Sequence, residues 1–119
     1  MAHDKFYDRP KWLRIRSSVL RRDKYRDAYL ARYGKIAPAE VVHHIFPKDD
    51  FPQYAYCVWN LISVSRKTHQ SFHDRESDRL TKAGRDLLVQ VARKNGIEVP
   101  SDYLTEKKGA YKKRDKYFT

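Results

Sequence analysis

The sequence predicts a small α+β protein: a two-stranded antiparallel hairpin followed at once by a helix, with a further helix on either side. Three observations predict it. Two β-branched stretches, 40–46 and 56–64, are separated by a polar loop that holds Pro47 and Pro52. A helix start follows directly, with Ser65 placed to cap a segment carrying His69, Phe72 and His73. Apolar residues recur at helical spacing in both flanks, Trp12, Ile15, Val19 and Leu20 before the hairpin and Leu87, Leu88, Val91 and Ala92 after it. At 119 residues the chain suits one domain, expected over 1–100 with its core at 40–74, and a basic, flexible tail over 101–119.

Each element has a local reason. Residues 1–7 read as a frayed start. Pro10 fits the first turn of a helix, where its missing N–H removes no hydrogen bond, and the periodic pattern runs to about Tyr25. Lys11, Arg14, Arg16, Arg21 and Arg22 fill the positions between its apolar residues. From Asp27 to Pro38 the pattern weakens; Gly34 reads as a turn, and Tyr29, Tyr33 and Ile36 are candidates to pack on the core. The last helix is expected over about 83–94, capped by Thr81 and stopped by Gly96.

The net charge is +11 and the isoelectric point about 9.8, which points to a polyanionic partner, nucleic acid before anionic membrane. The surplus is uneven. Residues 1–35 carry 11 basic and 4 acidic side chains, 36–65 carry 1 and 3, 66–100 carry 8 and 5, and 101–119 carry 6 and 3. Basic flanks therefore enclose a histidine-bearing middle that is the least positive part. A single cysteine, Cys57, excludes an intrachain disulfide and a cysteine-rich zinc ribbon. No apolar run approaches the roughly 20 residues of a membrane span, and no stretch reads as a signal peptide, so the expected location is cytoplasmic, with no membrane partner.

Four of the five histidines fall in two places, His43-His44 and His69 with His73. Neighbours on a strand point to opposite faces, so His43 and His44 serve different surroundings. Residues four apart on a helix have Cβ atoms about 5–6 Å apart, close enough for His69 and His73 to share an ion. His43, His69 and His73 then supply three imidazoles, a ligand count that leaves positions open for catalysis. His44 remains as a general base for water, since an imidazole titrates near neutrality. Asn60 is an orienting residue, because a side-chain amide pins a loop through donor and acceptor together. The competing reading is a structural zinc closed by all four histidines, or histidines that are merely packed or solvated.

Val42-His43-His44-Ile45, Asn60-Leu61-Ile62-Ser63 and His69-Gln70-Ser71-Phe72-His73 resemble the motif of the HNH (His-Asn-His) endonucleases, the ββα-metal fold. The separations of 16, 9 and 4 between His44, Asn60, His69 and His73 carry the resemblance over about 35 residues. It implies metal-dependent hydrolysis of DNA phosphodiester bonds, by nicking or double-strand cleavage, with DNA and one divalent ion (Mg, Mn, Ni, Co or Zn) as partners. His44 would be the base, His43, His69 and His73 the metal ligands, and Asn60 the residue that holds the loop carrying His44. DNA would lie with its minor groove over the helix that bears His69. The double-histidine form with a closing HxxxH is similar to that of toxin DNases. Trp12-Leu13, Val19-Leu20-Arg21-Arg22-Asp23 and Gly34-Lys35-Ile36 resemble small phage members of the family, some of which sit beside packaging terminases or in mobile elements.

One departure stands out. Many relatives carry two CxxC pairs holding a structural zinc, and the corresponding positions here are Asp27 and Leu30, then Ser65 and Thr68. No thiolate cage is possible, so apolar packing is expected to hold the domain together. Two rivals remain beside the nuclease: a basic DNA-binding module with a structural metal, and a toxin-type DNase domain. An intact His44 argues against the first, and the absence of an evident receptor-binding or translocation region argues against the second.

Overall fold

The computed structural model of the chain describes residues 4–104 and divides into two compact units, one up to Thr68 and one from His69. In the first, α1 (Pro10–Arg22) opens with Pro10 in its first turn. It stops three residues short of the expected Tyr25, because Lys24 and Tyr25 both take φ of 59°, a left-handed conformation that no helix continues through. The turn is held by Asp23. Its Oδ2 accepts the Ser63 amide at 2.9 Å, and both of its oxygens pair with Arg22. The Arg22 guanidinium also donates to the carbonyls of Val58 and Leu61, at 2.9 and 2.7 Å. These bonds tie the end of α1 to the hairpin.

The hairpin is β1 (Val41–His44) against β2 (Leu61–Val64), antiparallel, with Val41 opposite Val64 and His44 opposite Leu61. The α+β class and the two-stranded hairpin with flanking helices are as the sequence predicts. Trp12 and Val19 from α1 form one buried cluster with Val42 and Leu61, and Phe6, Ile15, Leu20 and Tyr56 pack on its edge. Both strands are shorter than expected. Val58–Asn60 form a helical turn instead of continuing a strand. The reason is Asn60, whose backbone and side chain are both committed to the loop opposite, as described below.

Between α1 and β1 the chain makes an excursion closed by a bridge between Arg26 and Pro38. Within it lies the short α2 (Ala28–Ala31), where the sequence pattern had faded, and Gly34 turns the chain at φ 75°. Tyr33 and Ile36 do not pack on the core as expected; they are 60% and 78% exposed. The neck is fastened by Asp27, fully buried, which caps α2 through the Leu30 amide and accepts the Ser65 amide, each at 2.8 Å. Ser65 in turn hydrogen-bonds the Thr68 hydroxyl and caps α3 (Arg66–Ser71) through the Thr68 amide, both at 3.1 Å. The two pairs of positions where the resemblance would place zinc-binding cysteines are joined here by a carboxylate.

Burial raises the Asp27 pKa, but hydrogen bonds from the Thr68 side chain and the Leu30 and Ser65 amides outweigh it and hold the carboxyl below its ordinary 3.8. A carboxyl depressed in the folded state stabilises the fold above its unfolded pKa and loses that contribution as pH falls through the folded value. Asp27→Ala is therefore expected to destabilise the protein by about 2–4 kcal/mol at neutral pH. The gap between variant and wild type should narrow below pH 3.8. Urea titrations at neutral and strongly acidic pH check this; a gap that stays constant overturns the ionic role.

In the second unit, Phe72, Leu80, Leu87, Leu88 and Ala92 are buried. α4 (Lys82–Asn95) starts as expected, with the Thr81 hydroxyl accepting the Gly84 amide at 3.3 Å, and ends at Gly96 with φ 66°. Gly84 permits a close approach, since a Cβ there would sit 2.7 Å from the Phe72 carbonyl oxygen. Ahead of α4, the turn 74–79 is organised by Asp74, whose Oδ1 accepts the amides of Glu76 and Ser77 at 2.8 and 3.1 Å. The chain comes back to pair His73 with Leu80. From residue 105 the expected basic tail lies outside the described residues. Among the described residues, no helix is long and apolar enough to cross a membrane.

Candidate metal centre

β1 delivers two adjacent histidines to opposite faces. His44 shares the face of Val42, which packs toward α1. Its ring stacks on Trp12 with centroids 5.0 Å apart and planes at 22°, and meets the edges of Phe6 and Tyr7 at 5.8 and 6.3 Å. Its Nε2 lies 3.0 Å from the Ala55 carbonyl oxygen, which only accepts, so the ring proton sits on Nε2 and Nδ1 keeps its lone pair. Burial, with a smaller push from the Lys48 charge, holds the His44 pKa below 6.5 despite the opposing pull of that hydrogen bond and of Asp49. The neutral ring is thereby favoured.

Asn60 is fully buried and makes three side-chain hydrogen bonds. Oδ1 accepts the Phe46 amide at 2.7 Å, while Nδ2 donates to the carbonyls of Phe46 and Tyr54 at 3.1 and 3.2 Å. Its own carbonyl accepts the Ile45 amide at 2.9 Å. The backbone just after His44 and the backbone just before Ala55 are thus held by one side chain.

His43, on the other face, is 1% exposed. His43, His69 and His73 each offer one ring nitrogen, and these three atoms lie within 4.8 Å of one another. Nitrogens bound about 2.0–2.1 Å from one ion are separated by about 3–3.5 Å, so this donor set is of a size that could hold a divalent cation. Three imidazoles suit borderline ions such as Mn²⁺, Co²⁺, Ni²⁺ and Zn²⁺.

His69 and His73 do not share a helix as the spacing predicts. α3 ends at Ser71, and His73 belongs to the bridge with Leu80. The rings nonetheless lie 4.9 Å apart. His73 is oriented by the turn that follows it, its Nδ1 lying 3.2 Å from the carbonyl oxygen of Asp78, a residue with φ of 61°. That carbonyl also only accepts, which leaves Nε2 as the donor available to a cation.

Two features of the site carry no signal in the sequence. The Ala55 carbonyl is a backbone group that any residue would supply. Lys48 looks like an ordinary loop lysine, but its side chain is 13% exposed and pairs with Asp4 and Asp49 at 2.6 and 2.9 Å. Partial burial lowers its pKa, yet those two carboxylates win and raise it, so the ammonium over the Phe6 and Tyr7 rings stays charged.

No protein-family model and no curated protein matches this chain. Among solved structures it is similar to the crystal structure of the HNH endonuclease of the deep-sea thermophilic bacteriophage GVE2 with a manganese ion. The two are 31% identical over 55% of this chain and 71% of that chain, with a TM-score of 0.54.

Proposed function

We propose that this chain, which belongs to the HNH endonuclease family, hydrolyses phosphodiester bonds of DNA in a metal-dependent reaction, with His44 as general base and His43, His69 and His73 as metal ligands. The observation that carries the reading is the convergence of three imidazole nitrogens within 4.8 Å, one of them from the residue next to His44. His43, His69 and His73 would hold a divalent cation, which would supply positive charge against the oxygens of the scissile phosphate. The manganese ion of the similar phage structure supports Mn²⁺ as one competent metal.

The chain's own residues carry the proton chemistry. A water aligned on the phosphorus gives its proton to His44 Nδ1 as the new O–P bond forms and the bond to the 3′ oxygen breaks, and the leaving 3′ oxygen takes a proton from solvent. Nδ1 is the nitrogen for this task because the Ala55 carbonyl keeps the ring's hydrogen on Nε2. Trp12 covers the ring and prevents it from turning over. Asn60 acts as a positioning residue, since it fixes the segment 45–46 and the Tyr54–Ala55 backbone on which the base depends. The basic flanks supply the attraction to DNA. The phage source of the similar structure supports a phage role, with a packaging terminase as the proposed partner.

Supercoiled plasmid incubated with the protein and a panel of Mg²⁺, Mn²⁺, Co²⁺, Ni²⁺ and Zn²⁺ tests the reading. Conversion to nicked or linear DNA is expected with at least Mn²⁺ and with none of the metals once EDTA is in excess. Binding of the plasmid without conversion under any ion would leave a DNA-binding module and overturn the enzyme.

A further inference from the structure

We propose that the excursion at 24–38 and the first turn of α3 form one track for the backbone of duplex DNA, leading onto the helix that carries His69. The inference rests on the nuclease reading and assigns it a substrate-binding surface. Lys24, Arg26, Arg32 and Lys35 are exposed on the excursion, and Arg66 and Lys67 are exposed at the start of α3. Asp27 within the excursion and Glu40 just after it are turned to backbone amides. Asp27 is buried on Leu30 and Ser65, and Glu40 Oε1 accepts the Arg66 amide at 2.9 Å. From Asn60 to His73 the sequence has no acidic residue at all.

Exposed large apolar side chains lie among these cations. Tyr25, Tyr33 and Ile36 are 58%, 60% and 78% exposed. The Arg32 guanidinium lies over the rings of Tyr29 and Tyr33, at 5.1 and 5.9 Å, an exposed planar cation whose N–H fork suits phosphate oxygens. Exposed aromatics and arginine also mark protein interfaces, but the cores of those are depleted in charge and in lysine. Six exposed cations on these two segments, with Asp27 buried and Glu40 held on the Arg66 amide, match a phosphate backbone instead.

The Asp27 network fixes the excursion's neck to Ser65 and Thr68 at the start of α3. This neck lies at the Val41–Val64 end of the hairpin, and His44 at the other end, opposite Leu61. A strand of that length spans about 10 Å, so the track begins about three base-pair steps from the base.

The test measures binding of a 20-base-pair duplex by fluorescence anisotropy in EDTA, which separates binding from cleavage, between 50 and 200 mM salt. Each lost phosphate contact flattens the log–log salt slope by about 0.9. Arg32→Ala/Lys35→Ala, both on an exposed tip, should therefore flatten it by about 1.8. Arg93→Ala/Lys94→Ala removes the same charge from the exposed end of α4 and should change it by less than about 0.5. Equal changes in the two double variants, or no change in the first, would overturn the track. Tighter binding of the corresponding single strand would overturn the assignment to duplex DNA. The expected slope difference between the double variants, with a wild type that nicks no plasmid under any metal, overturns the nuclease reading and leaves the track standing. One that nicks, with equal slopes in both variants, overturns the track alone.

Discussion

His44→Ala is expected to slow plasmid cleavage by about 10²–10⁴, the range a positioned general base contributes, while the affinity for metal stays close to wild type. The proposed base and the proposed ligand next to it are separable because His43 and His44 leave β1 on opposite faces. Truncation also removes a ring stacked on Trp12, so a melting curve must accompany the assay, and His44→Gln keeps most of the volume without a basic nitrogen. Both variants should be inactive, and His44→Gln should fold. The pH profile adds a second reading. A base must be neutral to act, and the His44 pKa is held below 6.5 by burial, so the acid limb of kcat/KM should lie on the acidic side of that value. A variant that keeps more than about a tenth of the wild-type rate would sink the assignment of His44 as base.

The parts of the fold that were legible in the sequence are those written in local chemistry. Pro10, Thr81 and Gly96 mark helix ends by what their backbones and side chains permit, and α1 and α4 begin and stop near them. The hairpin was legible as two β-branched runs, but its length was not. Strand pairing stops where Asn60 begins to serve the loop at 46–54, and nothing in the apolar pattern of 56–60 announces a change of partner. α2 is illegible in the apolar pattern for a related reason: four residues are too few to show a period, and its signal is the cap at Asp27.

At the candidate site, residue identity was more legible than geometry. The spacing of His69 and His73 suggests a shared helix, yet the helix ends between them and the second imidazole arrives on a bridge with Leu80. An i, i+4 helical pair and an extended return after a helix end put side chains at comparable separations, so the spacing alone could not tell them apart. The Ala55 and Asp78 carbonyls, which settle the ring tautomers of His44 and His73, belong to the backbone and have no sequence signature.

Removal of metal is expected to stop cleavage while the chain stays cooperatively folded at 25 °C. Where a structural zinc is the staple, its binding free energy is folding free energy, and chelation unfolds the domain. Here the positions that would carry such a staple are joined by the Asp27 carboxylate with Leu30, Ser65 and Thr68, and Trp12, Val19, Val42 and Leu61 form a buried cluster that needs no ion. Bound metal should still raise the melting temperature by mass action, with about 2.7 kcal/mol of stabilisation at a free concentration a hundredfold above Kd. His73→Ala should reproduce the effect of EDTA, with cleavage down more than about 10²-fold and most of the metal-dependent melting shift gone. The far-ultraviolet circular dichroism of that variant should match the stripped wild type, since His73 is half-buried at the surface of a turn that Asp74 organises independently. Circular dichroism melts of stripped and Mn²⁺-loaded protein, run beside the plasmid assay, decide the matter. Unfolding of the stripped wild type at 25 °C would make the histidine cluster a structural site, and the catalytic assignment of His43, His69 and His73 would fall with it.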